Sequence, residues 1–241
     1  MPTGVDDLFL AGDAHQRIYA HRVSLREVGI RVVGRSARLT VNYRTTAEIL
    51  GWSLGMLRGE RIDDLDGGLD SIAGYRSTLR GMPPTLRGYS TGNEELAALG
   101  AQVRQWLDAG IEAAEIGIAA RSNALVTAAL GRLAADGLAA HSLNSSSSDE
   151  PVRGVAVGTM HRMKGLEFRA LAVFGVNAAH LPPPNAITPK EEDELTHEHD
   201  LQRERCLLFV ACTRAREQLT VTWYATPSPF LNTDVTTART A

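Results

Sequence analysis

An α/β fold, with a parallel sheet covered by helices on both faces, is what this sequence predicts, and three observations predict it. Strand-like and helix-like runs alternate along most of the 241 residues, the order from which parallel sheets are wound. Three strand-like runs, at 116–120, 155–159 and 169–176, are apolar. The run from Cys206 to Cys212 is unbroken apolar or small, which suits a helix buried on most sides.

Composition sets the outer bounds. Hydrophobic residues make up 44% and charged residues 22%, ordinary for a globular chain. The net charge of −3 leaves no global basic footprint, so any nucleic-acid contact must be local. No apolar run reaches the roughly 18 residues of a membrane span, and no charged-then-apolar leader opens the chain. Cys206 and Cys212 share one apolar stretch, too few and too buried for a disulfide framework. The expectation is a cytoplasmic, nucleoid-associated protein without a membrane partner. Lysine occurs only at Lys164 and Lys190.

The elements follow in chain order. Residues 7–12 read as a short buried strand. The hydrogen-bond-rich stretch 13–19 follows at its carboxyl end, where open α/β sheets bind ligands. A strand so close to Met1 has nothing before it to pack on, and the expectation is a fragment. Residues 39–44 lead to a helix over 45–58, with Thr45 as cap and Glu48 completing a capping box. Tyr43 and Arg44 lie just before that helix, where a phosphate is also favoured. Packing and a surface ion pair are their plainer roles. Residues 59–84, rich in Asp and Gly and ending in Met82-Pro83-Pro84, read as a connection with little regular structure. A strand at 85–89 precedes a helix to about Asp108, capped at Thr91, whose Leu96, Leu99, Val103, Trp106 and Leu107 recur at helical spacing. A strand at 116–120, a helix from Ser122 to Gly137 and a brief strand at 139–143 come next. The serine run 145–148 is a connection.

After the strand at 155–159, residues 160–167 form a loop carrying His161 and Lys164 beside Gly165, which permits close backbone approach to a ligand. Residues 177–200, with three consecutive prolines and the acidic run 191–194, read as a solvated loop. His197 and His199 flank Glu198 there but lack the further converging ligands a zinc site needs, so no metal site is assigned. The helix ending near Thr213 delivers Arg214 to a fixed place, either as a phosphate-binding guanidinium or as an exposed arginine favoured by the helix dipole. A strand at 218–224 follows, and 226–241 is expected to fray.

Four separated segments hold the polar groups: Gly12 to Tyr19; Asn42, Tyr43 and Arg44; Thr159 to Glu167; and Cys206 to Arg216, with its core Val210-Ala211-Cys212-Thr213-Arg214-Ala215. Together and in this order they resemble motifs III, IV, V and VI of the UvrD/Rep family of superfamily 1 DNA helicases, over nearly the whole chain from Leu8 to Tyr224. The resemblance implies a RecA-like domain 2A over 45–225, with flexible connections near 59–84 and 177–200, preceded by a remnant of domain 1A over 1–44. It is a P-loop NTPase superfold without its P-loop. It implies ATP bound in a cleft between two such domains, and 3′-to-5′ movement on single-stranded DNA. Gln16 would bond the γ-phosphate or its attacking water, Arg44 and Arg214 would meet the γ-phosphate, Tyr43 would stack on adenine and Glu167 would hold the ribose, with Gly165 beside it. Tyr19, Thr159 and His161 would touch DNA.

The sequence departs from the family at His21, where an aromatic residue is usual and where DNA stacking would be weaker. The 2B insertion expected between the second and third segments is missing. Neither lysine follows a glycine, so no Gly-Lys-Ser/Thr phosphate loop is present, and Asp193-Glu194 does not follow an apolar strand as a magnesium-binding pair would. Half an ATPase site is therefore expected, with Mg²⁺ and the phosphate loop on an absent domain 1A and no ATP hydrolysis by the chain alone. The alternative is a free-standing, non-catalytic DNA- or protein-binding module derived from a helicase.

Overall fold

The computed structural model of the chain describes residues 9–16, 18, 28–30, 37–60, 62, 74–143 and 154–231. Its centre is a six-stranded, wholly parallel sheet. In chain order the strands are β3 (Thr85–Tyr89), β4 (Ile116–Ala120), β5 (Ala140–Ser142), β6 (Val155–Thr159), β7 (Phe168–Val173) and β8 (Ala215–Tyr224), arranged in space as β3-β8-β7-β4-β6-β5. A separate parallel pair joins β1 (Val41–Asn42) to β2 (Arg76–Ser77). Every residue of β4 is buried, as expected of a central strand covered on both faces.

Two apolar layers sandwich the sheet. On one face lie α2 (Gly92–Asp108) and α3 (Asn123–Ala135), which bring Leu99, Val103, Trp106, Val126 and Leu133 against Ile116, Ile118 and Val157. Thr91 and Ser122 cap these helices by accepting hydrogen bonds from the backbone N–H groups of Glu94 and Leu125. Gly137 ends α3 at φ +71°, a left-handed turn that glycine adopts without strain. On the other face lie α1 (Ala47–Gly55), α4 (Glu194–Cys212) and the short turn Met160–Met163, which carry Ile49, Leu207, Leu208 and Met160 onto Leu171, Val173 and Val221. Among the described residues no helix is long and apolar enough to cross a membrane.

Several expectations are corrected. Of the strand expected at 7–12, residues 7 and 8 lie outside the described residues, and 9–12 form no buried strand: Phe9 is 91% exposed and the segment has no regular structure before the 3-10 turn Ala14–Gln16. Thr45 does not cap α1; its hydroxyl is drawn to the Thr213 carbonyl at 3.2 Å, and Thr46 takes the cap position without a side-chain bond. Glu48 accepts from the Gly81 N–H instead of closing a capping box. The connection 59–84 contains β2, while its residues 61 and 63–73, like the serine run 145–148, lie outside the described residues.

The largest correction is α4, which starts ten residues before Glu204, inside the stretch read as a solvated loop. Asp193 accepts from the Thr196 N–H at 3.0 Å, and this bond holds its carboxyl below the usual range. An acidic run is also what a helix amino terminus attracts, and that second meaning prevails here. His197, Glu198 and His199 therefore stand on a helix. Within it, the Asp200 carboxylate accepts from Thr188 and pairs with Arg203, fastening the preceding segment to α4. The tail expected to fray from 226 is packed as far as Leu231: Phe230 and Leu231 are buried, and Arg205 lies 4.6 Å above the Phe230 ring. Cys206 and Cys212 are buried and form no disulfide, and burial pushes the Cys212 thiol far above its ordinary range.

Candidate functional site

Helix α4 is apolar on all sides from Cys206 to Cys212, so packing fixes where it ends. At that end Thr213 turns its hydroxyl back to the Phe209 and Val210 carbonyls, at 2.9 and 3.1 Å. Arg214 follows and is only 3% exposed. Its Nε donates to the Val210 carbonyl at 3.0 Å and its Nη2 lies 3.4 Å from the Thr213 hydroxyl. Burial, and then the charge of Arg44, lower its pKa to about 10, while Asp13 and Glu167 oppose the shift. Arg214 is thus a rigid cation at neutral pH, held at the amino end of β8 beside a second cation.

That second cation is delivered by β1. The Asn42 side-chain oxygen Oδ1 accepts from the backbone N–H groups of Arg44 and Thr45, at 2.7 and 3.0 Å, and so shapes the turn into α1. Arg44 Nε donates to Glu167 Oε2 at 2.7 Å, and Arg216 Nη1 approaches Glu167 Oε1 at 3.5 Å. All three side chains are about half exposed. Ion pairs this wet contribute only about 0.2–1 kcal/mol, so they exchange partners readily. Asn42, Tyr43, Arg44, Glu167 and Arg216 line one pocket of about 480 Å³ at the amino ends of β7 and β8. Tyr43 is 74% exposed, which leaves its ring accessible beside two guanidinium groups and a carboxylate. Such a set can take a planar base, a diol and phosphates.

Gln16 stands on the short turn Ala14–Gln16. Its Nε2 donates to Asp13 Oδ2 at 2.6 Å, and its carbonyl accepts from Lys164 Nζ at 3.0 Å. Burial would raise the Asp13 pKa, but the hydrogen bonds from His15 and Gln16 outweigh it and the carboxyl sits below its ordinary value. His15 in turn packs on Phe209 of α4, with ring centroids 6.4 Å apart. Gln16 does not line the pocket, and neither does Gly165. Gly165 has φ +88° and open space where a Cβ would stand, so its turn rather than any close approach calls for glycine.

Thr159 and His161 are not part of this pocket. They sit at the carboxyl end of β6, the opposite end of the sheet, and the segment 160–167 crosses the face beneath α4 to join the two ends. Burial, and then the charge of Arg121, lower the His161 pKa. Beside it Arg121 grips Glu204 through two hydrogen bonds of 2.6 and 2.8 Å. Tyr19 and His21 lie outside the described residues. Among the described residues no three His, Cys, Asp or Glu side chains group as metal ligands.

Sequence reasoning assigned no role to Asn42, Arg216, Arg121 or Glu204. For Arg216 a signal existed: it is the first outward-facing residue of β8, two positions beyond Arg214. For the Arg121–Glu204 pair, 83 residues apart, none did.

The parallel sheet, with helices on both faces and arginines gathered at one end, defines a RecA-like α/β domain. Residues 133–226 match the family of the UvrD-like helicase C-terminal domain. The ATP-dependent DNA helicase PcrA of Staphylococcus aureus (strain Mu50) is 42% identical over 69 residues, which make up 29% of this chain and 9% of that protein. The ATP-dependent DNA helicase UvrD2 of Mycobacterium bovis is 35% identical over 78 residues, 32% of this chain and 10% of that protein. The matched stretches thus span about a tenth of these curated relatives. The crystal structure of the C-terminal domain of a possible DNA helicase from Lactobacillus plantarum WCFS1 shares the fold, with a TM-score of 0.54 and 20% identity over 79% of this chain and 92% of that one.

Proposed function

We propose that this chain is the half of an ATP-driven 3′-to-5′ DNA helicase that closes over the nucleotide from the side opposite the phosphate loop. The observation that carries the reading is the meeting of Tyr43, Arg44 and Glu167 in one pocket, with the charge of Arg214 felt behind it, from segments scattered over the chain. Tyr43 stacks on the base and Glu167 takes the ribose. Arg44 and Arg214 answer the charge that spreads over phosphoryl oxygens in the transition state. Gln16, held by Asp13 and Lys164, orients the γ-phosphate or its water. ATP supplies the transferable phosphoryl group; a partner RecA-like domain supplies the phosphate loop and the Mg²⁺ ligands. Thr159 and His161, at the far end of the sheet, with Tyr19 and His21, touch single-stranded DNA. The setting is the cytoplasm, at the nucleoid, and the chain alone does not hydrolyse ATP.

The test is Arg214→Ala in the complete helicase. Turnover is expected to fall by about 10³-fold, as for removal of an arginine finger, while ATP binding persists. Comparable turnover by the variant would remove Arg214 from the reaction. ATP hydrolysis by the isolated chain in the presence of DNA would refute the half-site reading.

A further inference from the structure

Glu167 offers one carboxylate to two guanidinium groups, Arg44 at 2.7 Å on Oε2 and Arg216 at 3.5 Å on Oε1. The three residues come from separate strand ends and line the same pocket beside the exposed Tyr43 ring. Arg44 also stands near enough to Arg214 for their like charges to oppose each other. A polyphosphate entering here would answer both of those charges at once, whereas Glu167 pairs with Arg44 and Arg216 but forms no ion pair with Arg214. Charge-assisted contacts to phosphate are also stronger than a half-exposed ion pair, so Arg44 would leave Glu167 for the phosphates. The carboxylate would then keep one cation, Arg216. That residue is anchored at the start of β8, where its carbonyl accepts from the Thr46 N–H at 3.2 Å.

We propose that Arg216 is a positioning residue of the nucleotide pocket: it holds the Glu167 carboxylate against a ribose diol while Arg44 moves onto the phosphates. This rests on the nucleotide reading above and extends it to a residue with no assigned role. The chemistry closes, because a carboxylate that gives one lone pair to Arg216 retains others for two hydroxyl donors. Arg216 contacts no phosphate in this arrangement, and its effect passes through Glu167 alone. Its removal therefore weakens ribose recognition and leaves the interaction of Arg44 and Arg214 with phosphate intact.

The test uses the whole chain labelled with ¹⁵N-arginine. The Nε–Hε signals of Arg44, Arg214 and Arg216 are followed during titration with ATP and, separately, with 2′,3′-dideoxy-ATP. In the wild type, ATP is expected to bind about thirtyfold more tightly than the dideoxy nucleotide, the worth of two hydrogen bonds. In Arg216→Ala that preference disappears while dideoxy-ATP binds as before; Arg216→Lys restores part of it, and Glu167→Gln loses it in the same way. If Arg216→Ala keeps the full preference for ATP, or loses affinity for both nucleotides equally, the positioning role is overturned and the nucleotide reading stands. If neither Arg44 nor Arg214 responds to either nucleotide in the wild type, both fall.

Discussion

The two ends of the sheet use the same residue types in opposite ways. At the amino ends of β7 and β8, Arg44, Glu167 and Arg216 form a half-exposed chain of ion pairs around an open pocket. At the carboxyl ends of β4 and β6, Arg121 and Glu204 form a two-bonded pair in which Glu204 is only 2% exposed. Water decides the difference. In the first place charges are cheap to uncouple and can be handed to an incoming anion. In the second, separation would leave a desolvated carboxylate unpaired, so the pair acts as a clasp between β4 and α4. Helix α4 carries Glu204 at one end of this buried segment and leads to Arg214 at the other, so the clasp also fixes the position of the buried arginine.

The sharpest way to break this contrast is to remove one partner at each end. Glu204→Ala is expected to destabilise the fold by about 3 kcal/mol in urea denaturation, the lower part of the range for orphaning one member of a buried pair, because Arg121 retains some contact with water. Arg44→Ala, at the other end, should stay within about 0.5 kcal/mol of the wild type, as surface substitutions do. Equal losses would show that the two ends are not different in kind.

A smaller effect concerns the exposed ring. Tyr43→Ala should lower nucleotide affinity about tenfold, within the range for losing base stacking on an aromatic, and leave the melting temperature unchanged. A shifted melting temperature would place Tyr43 in packing instead of the pocket.

The smallest effect returns to the carboxyl end of the sheet. Glu95 is buried there, accepting from the Gly175 N–H at 2.8 Å and the Thr222 hydroxyl at 2.6 Å. Burial raises its pKa above 4.5, and those two bonds only partly oppose the shift. An acid whose folded-state pKa is raised holds its proton more tightly in the fold. Its contribution to stability is complete below pH 4.5 and is lost as the pH rises through the raised value. Glu95→Gln should remove that component, so the stability of the variant relative to the wild type should increase between pH 4 and pH 7 in denaturant titrations. A flat difference across that range would mean that Glu95 is charged in the fold.

Much of the fold could be read locally. Thr91 and Ser122 cap helices because a short side-chain oxygen meets the N–H three residues on, and the strands at 116–120 and 155–159 are found where their apolar runs stand. Local signals misled where one residue type carries two meanings. The acidic run before α4 serves as a helix start as well as a solvated face, and Thr45 gives its hydroxyl to a carbonyl 168 residues away instead of to its own helix.

By itself, then, the sequence determined the alternation of strands and helices, the buried end of α4 and the four polar segments that resemble a helicase. These depend on capping and apolar patterning, which act over a few neighbouring residues. Only the tertiary structure decided that Arg44 would meet Glu167, 123 residues distant, that Arg216 would join them, and that Thr159 and His161 would stand at the opposite end of the sheet. Strand order and the direction in which the segment 160–167 crosses the sheet set those meetings, and both are properties of packing between distant parts of the chain.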